Sequence, residues 1–304
     1  MSERAAGGVA TGVLLIFLAN LLGGLSYPAQ KLALAGLPPG TIALARTVIG
    51  FVPLAILARR RGFRLAGWDR PARRSILAAG SLAYAAPILL GVVGVERSTA
   101  ANASILILLE PATIVVAAWL VLGERIGRAK LAGVALGLLG ALAIVLEGAD
   151  PAEMVMGEHF AGNLILAVHG ILWGFYTPLV KPLRPRCDSI GISAGTLAVA
   201  IPFLLPFAVL EWDEWSLGPA AWRALAWCVA LGIFLSFLGT VFWVAALRHL
   251  SAASVAPFIF LQPFAGVLAG AIFLGERLSA AAIGGGVLIA AGVAVALRAP
   301  RAAA

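Results

Sequence analysis

The sequence predicts an all-α integral membrane protein whose ten transmembrane helices form two inverted five-helix repeats. Three observations carry this reading. Of 304 residues, 62% are hydrophobic and 12% charged, with a mean hydropathy of +1.01, whereas soluble domains carry about 45–50% apolar and about 25% charged residues. So large an apolar excess must face lipid, since too little charge remains to cover a water-exposed surface. Apolar runs of about 20 residues, enough to cross about 30 Å of hydrocarbon, recur ten times between charged or Pro/Gly-rich breaks. Finally, the second half of the chain repeats motifs of the first.

The expected spans are 11–33, 41–58, 75–95, 99–122, 129–147, 160–180, 190–210, 223–247, 252–274 and 280–298. The first has only Arg4 before it, exceeds a signal-peptide core of about 7–15 residues and lacks a small-residue cleavage site, so it reads as a retained span. Span 2 ends at Arg59, Arg60 and Arg61, and span 3 follows Arg73 and Arg74. Span 4 stops at Gly123, Glu124 and Arg125, and span 5 opens beside Arg128 and Lys130. Span 6 closes at Lys181, ahead of Arg184 and Arg186, while span 7 leads to Glu211, Asp213 and Glu214. Span 8 opens at Arg223 and stops just before Arg248, span 9 ends at Gly275, Glu276 and Arg277, and span 10 ends at Arg298.

Basic residues thus gather in alternate loops, while the opposite loops are acidic, with Glu147, Asp150, Glu153 and Glu158 in one of them. Positively charged short loops stay in the cytoplasm. Both termini are therefore expected there, in a bacterial-type inner (plasma) membrane. The net charge of +8 is an orientation signal and not a nucleic-acid grip. Cys187 and Cys228 have no metal-like or redox spacing, so neither a metal site nor a disulfide framework is expected.

Leu109, Glu110 and Pro111, followed by Leu122, Gly123, Glu124 and Arg125, recur 152 residues later as Leu261, Gln262 and Pro263, then Leu274, Gly275, Glu276 and Arg277. Gly133 and Gly140 recur as Gly285 and Gly292. Gly24, Pro28 and Lys31 of span 1 match Gly174, Pro178 and Lys181 of span 6 at an offset of 150. The expected organisation is a first repeat over 1–148, a periplasmic linker over 149–158 and a second repeat over 159–304. Because five spans is an odd number, the second repeat enters the membrane from the opposite side. Inverted repeats of this kind place a binding site near the midplane at their interface and work by alternating access.

These motifs resemble the EamA branch of the drug/metabolite transporter superfamily. The likeness covers nearly the whole chain and rests on two patterns. One is the doubled Pro-x11-Gly-Glu-Arg pattern from Pro111 to Arg125 and from Pro263 to Arg277. The other is the Gly-x3-Pro-x2-Lys pattern of spans 1 and 6. The resemblance implies a ten-helix exporter of small metabolites, with aromatic and other amino acids among the cargoes of similar members. The sequence has no His-Glu-x-x-His or Asp-rich metal motif and no nucleotide-binding glycine loop with lysine, so no cofactor and no enzymatic activity are expected.

Candidate substrate-binding residues follow from polarity inside apolar spans. Arg46 lies several residues inside span 2, where insertion costs about 2.5–3.5 kcal/mol. It reads either as a clamp for a substrate carboxylate, or as a snorkelling or Glu110-paired arginine. Glu110 precedes a helix-breaking proline near the middle of span 4, and its repeat partner is the neutral Gln262. It reads as a proton-coupling or amine-binding carboxylate, or as a structural hydrogen-bonding group. Asn20 and Tyr27, with Lys31, share one face of span 1, and His169, Trp173 and Tyr176 share one face of span 6. Such stripes suit stacking on a small amphipathic ligand, with His169 a second proton-coupling candidate or an interhelical hydrogen-bonding group. Lys31 and Lys181 read as interfacial anchors. Tyr84 with Pro87, and Trp243 with Ser236 and Thr240, are further cavity candidates.

The expected partners are a small-molecule substrate, an amino acid or similar metabolite, and the lipid bilayer, with the protein a monomer that binds no nucleic acid. Other metabolites or drugs, or a flipped lipid, are alternative cargoes. A remote enzymatic alternative is the Gly-x-Ser-x-Gly pattern from Gly191 to Gly195, which with His169 would make an intramembrane serine hydrolase. That pattern needs a strand-to-helix turn, whereas here it opens an apolar helix.

Overall fold

The computed structural model describes residues 3–63, 68–146, 157, 159–215, 218–265 and 279–298. The expected 149–158 linker, apart from Gly157, and the second Gly-Glu-Arg copy at 275–277 lie outside the described residues. Among the described residues there is no strand, and nine helices are long and apolar enough to cross a membrane. In chain order the helices are α1 (Gly7–Ala33), α2 (Pro39–Arg60), α3 (Arg70–Glu96), α4 (Asn102–Leu122) and α5 (Arg128–Val145). The second half gives α6 (Phe160–Leu183), α7 (Ser189–Leu210), α8 (Pro219–Ala246), the shorter described stretch α9 (Ala252–Ala265) and α10 (Ala280–Arg298).

Several helices begin earlier than the hydropathy pattern alone indicates, and for α3 and α8 the local cause is plain. α3 starts at Arg70 because the Asp69 carboxylate accepts the Ala72 N–H at 3.0 Å, capping an arginine-rich turn that hydropathy leaves outside the span. α8 starts at Pro219, whose fixed φ suits the first helical turn.

The internal symmetry extends to the irregularities. Proline lacks an N–H, so the carbonyl four residues before it is left unbonded. α1 breaks after Gly24, four residues before Pro28, and α6 breaks after Gly174, four residues before Pro178. α4 breaks at Ile107 and Leu108, just ahead of Pro111, and its counterpart α9 tightens into a 3-10 turn over Ala256–Phe260. α3 widens into a π-helical stretch at Ser81–Ala85, as α8 does at Leu231–Gly239. Helices interrupted in matched positions of two halves are the kind that line a cavity at membrane depth.

Glycines set how closely the helices approach. A Cβ added at Gly133 would lie 2.6 Å from the Gly292 carbonyl oxygen, and one at Gly292 would lie 2.6 Å from that of Gly133. Gly140 and Gly285 repeat the arrangement at 2.5 Å in both directions. α5 and α10 therefore pack backbone to backbone as a self-complementary pair. Away from these seams the bundle presents lipid-compatible side chains, including the exposed Trp119, Leu120, Leu210 and Trp222.

Candidate functional site

Close packing between the repeats builds the centre of the molecule. A Cβ at Gly24 of α1 would sit 2.4 Å from the Gln262 carbonyl oxygen of α9, and one at its counterpart Gly174 of α6 would sit 3.1 Å from that of Glu110 of α4. The two halves thus use equivalent glycines to bring Gln262 and Glu110 inward. Gln262 Nε2 donates to Asn20 Oδ1 at 3.0 Å, bridging the repeats, and Asn20 Nδ2 donates back to the Ile16 carbonyl at 2.8 Å.

α2 and α8 approach in the same way. A Cβ at Gly50 would lie 2.6 Å from the Ser236 Cβ, and one at Gly232 would lie 2.9 Å from the Arg46 carbonyl oxygen. This brings Ser236 to Arg46, whose Nε–H donates to its hydroxyl at 3.3 Å. Arg46 is 5% exposed and Glu110 is 7% exposed, and among the described residues neither makes an ion pair. The pairing of Arg46 with Glu110, one of the two readings open in the sequence, is therefore absent among the described residues. Arg46 does not snorkel either, because it is buried.

Aromatic side chains from α1, α3 and α6 meet edge to face. Trp173 stands at 84° to Tyr84 with ring centroids 5.5 Å apart, and at 87° to both His169 and Tyr176 at 6.4 and 6.0 Å. Tyr27 meets His169 at 6.0 Å and 72°. These are favourable quadrupolar geometries. They wall a cavity of about 130 Å³, to which α1, α2, α3, α4, α6, α8 and α9 contribute.

All nine candidates from the sequence, Asn20, Tyr27, Arg46, Tyr84, Glu110, His169, Trp173, Tyr176 and Gln262, line this one cavity. Thr240 and Trp243 join them, whereas Ser236 stands behind Arg46. Sequence reasoning missed Ser26, Gln30, Ile88, Ile107 and Leu235. Gln30 lies three residues after Tyr27 and was legible by helical spacing, but Lys31 drew the stripe away from it. The apolar three carry no chemical signal that separates them from core residues.

The lysines lie off the cavity and do different jobs. Lys31 donates to the carbonyls of Val95 and Ser98 at 3.1 and 3.3 Å, whereas Lys181 donates to the Glu124 carboxylate at 2.7 Å. Glu124 does not project into water as a span terminator would. It is mostly buried and also accepts the N–H groups of Ala252 and Ala253 at 3.0 and 3.2 Å, capping α9. Gly123 makes this possible with φ +66, ending α4 in a left-handed turn that swings the next residue inward.

The hydrolase alternative fails on geometry. Ser193 lies within α7, fully buried, and both ring nitrogens of His169 are engaged elsewhere, with Tyr27 and with Pro87. Among the described residues no cluster of three His, Cys, Asp or Glu side chains could hold a metal ion.

Seven helices, six of them interrupted, converge on a central polar and aromatic cavity between two inverted halves, and the sequence profile of the EamA-like transporter family matches this chain twice, over residues 10–146 and 160–298. The chain belongs to the EamA-like transporter family. EamA members are transporters, so this multi-pass membrane protein is a transporter and not an enzyme. Among its relatives, the "Probable terminal-alkyne amino-acid exporter" of Streptantibioticus cattleyicolor is 30% identical, over 88% of this chain and 87% of that protein. The "Pseudopaline exporter CntI" of Pseudomonas aeruginosa is 29% identical, over 92% of this chain and 93% of that one. A solved crystal structure with a TM-score of 0.75 and 22% identity, covering 94% of this chain and 96% of its own, shares the fold.

Proposed function

We propose that the protein is a secondary transporter that exports amino acids, aromatic ones included, by alternating access through the central cavity. One observation carries the reading. Arg46 and Glu110, of opposite charge, are buried in the wall of one cavity and unpaired with each other. Unpaired buried charges in a membrane are costly, and a zwitterion would satisfy both, its carboxylate on the guanidinium and its ammonium on the carboxylate. The aromatic wall of Tyr84, Trp173 and Tyr176 then suits a flat side chain. On the measure by which one water needs about 10–15 Å³, the cavity accommodates roughly ten water-sized groups, the scale of an amino acid and far below a lipid.

The same reading takes 1–148 and 159–304 as the two units joined by a periplasmic linker. The protein sits in the inner membrane with both termini cytoplasmic, where the arginine-rich ends of α2 and α3 lie. It works as a monomer, since the fused repeats supply the pairing that a half-length relative would obtain by dimerising. Flux of labelled amino acids into liposomes holding the purified protein tests the cargo. Saturable flux that other amino acids compete away is expected, and competition by sugars, nucleotides or lipids alone would overturn it.

A further inference from the structure

The hydrogen bonds around His169 fix the direction in which Tyr27 presents its oxygen. His169 Nδ1 lies 2.6 Å from the Pro87 carbonyl oxygen, and its Nε2 lies 3.0 Å from the Tyr27 hydroxyl. A carbonyl only accepts, so Nδ1 carries the proton and donates. His169 is 4% exposed and among the described residues makes no ion pair, and Arg46 shares its cavity. Glu110, the one carboxyl in the described cavity lining, makes no ion pair with it, so an imidazolium there would be uncompensated, the ring is neutral and Nε2 is bare. Tyr27 must then donate its O–H to Nε2. Its oxygen is left with free lone pairs and no proton to offer a ligand.

The ring has no freedom to reverse this. A Cβ at Gly91 would sit 2.7 Å from the His169 Cε1 and 2.8 Å from Nδ1, so the imidazole is seated directly on the α3 backbone. The cavity wall therefore presents the Tyr27 oxygen, which only accepts, and the Glu110 carboxyl, which accepts from an ammonium once it has given up its proton. Arg46 presents donors only.

We infer that Tyr27 and Glu110 together form an ammonium subsite, with Tyr27 a specificity-determining residue and His169 the positioning residue that turns its oxygen toward the ligand. The inference rests on the transport reading above and deepens it: the site selects a protonated primary amine that also carries a carboxylate. It gives His169 a fixed structural tautomer in place of a proton-relay role.

The test uses three probes on the purified full-length protein: L-phenylalanine, phenethylamine, which lacks the carboxylate, and 3-phenylpropionate, which lacks the amine. Tyr27→Phe should weaken the two amine-bearing probes about tenfold and leave 3-phenylpropionate within about twofold. Gly91→Ala, which does not touch the cavity but displaces the imidazole, should give the same split in smaller measure. Equal weakening of all three probes, or no effect of either variant, would overturn the inference by reducing Tyr27 to a wall residue. Nitrogen-15 NMR of histidine-labelled wild-type protein needs no variant, with the signal assigned through His169→Gln. Protonated Nδ1 and bare Nε2 are expected, and the reverse tautomer or an imidazolium at neutral pH overturns the positioning even if L-phenylalanine binds. The expected tautomer with none of the three probes bound instead removes the amino-acid reading, and the ammonium subsite with it.

Discussion

Lys181 donates to Glu124 at 2.7 Å, tying the end of α6 to the turn that follows α4. Among the described residues, its repeat counterpart Lys31 donates to backbone carbonyls of its own half. Two lysines that the repeat makes equivalent therefore differ in the structure: one joins the halves on the face that carries the N-terminus, and the other stays within its half. Glu124 gathers three further contacts there, from the N–H groups of Ala252 and Ala253 and from Lys130, which stands 4.0 Å away.

Loss of this carboxylate should lower stability. Burial disfavours the Glu124 charge, but the hydrogen bond and charge of Lys181 and the two backbone N–H groups outweigh it and hold the carboxyl below its ordinary 4.5. A depressed folded-state value contributes stability that is complete above the ordinary carboxylate range and is lost as pH falls through it. The melting temperature of the purified protein should stay flat from pH 8 to about 5.5 and drop below about pH 4.5. Glu124→Gln should cost about 2 kcal/mol at neutral pH and shrink the acid-side drop. An unchanged melting curve for that variant would remove Glu124 from the ties between the halves.

Gly24→Ala should destabilise the protein by about 1–3 kcal/mol, because its Cβ would meet the Gln262 carbonyl at 2.4 Å, backbone against backbone. α1 and α9 would have to part, taking the Asn20 to Gln262 hydrogen bond with them. Gly7→Ala, where nothing lies within 4 Å, should leave thermal stability unchanged, and the pair measured side by side separates close approach from loss of glycine as such.

Glu110→Gln should insert and fold, since the second half places Gln262 at the equivalent position. Its flux of zwitterionic substrates should fall at least about tenfold, while Arg46→Ala should chiefly raise the KM of substrates that carry a carboxylate. Normal flux with an unaltered pH profile in Glu110→Gln would leave Glu110 a structural group.

An Arg60→Cys variant in a background lacking Cys187 and Cys228 should resist a membrane-impermeant thiol reagent added to intact cells and react after permeabilisation. Labelling from outside would reverse the topology proposed above.

Most of the fold was legible because a bilayer imposes simple rules. Length and apolarity mark the spans, and the recurrence of Gly24, Pro28 and Lys31 as Gly174, Pro178 and Lys181 marked the inverted halves. Prolines alone did not place the helix breaks: Pro111 lies at one, whereas Pro53, Pro202 and Pro206 sit inside continuous helices. The candidate site was legible for the same reason: a polar or charged side chain within an apolar span needs a reason to be there, and all nine such candidates line the cavity. The partners of Glu124 were not legible, because helix-end chemistry looks the same in sequence whether the carboxylate meets water or another helix.

The sequence by itself determined the number of spans, their inversion and the polar residues carried into the membrane, because those follow from local periodicity and from the cost of unsatisfied groups in hydrocarbon. Only the tertiary structure decided the partners: Arg46 on Ser236 and not on Glu110, His169 between Pro87 and Tyr27, and Glu124 on Lys181 and the start of α9. Each of these joins helices far apart in the chain, at angles set by where glycine lets two backbones touch, and neither the rotation of a helix nor its depth against a neighbour is written in its own pattern.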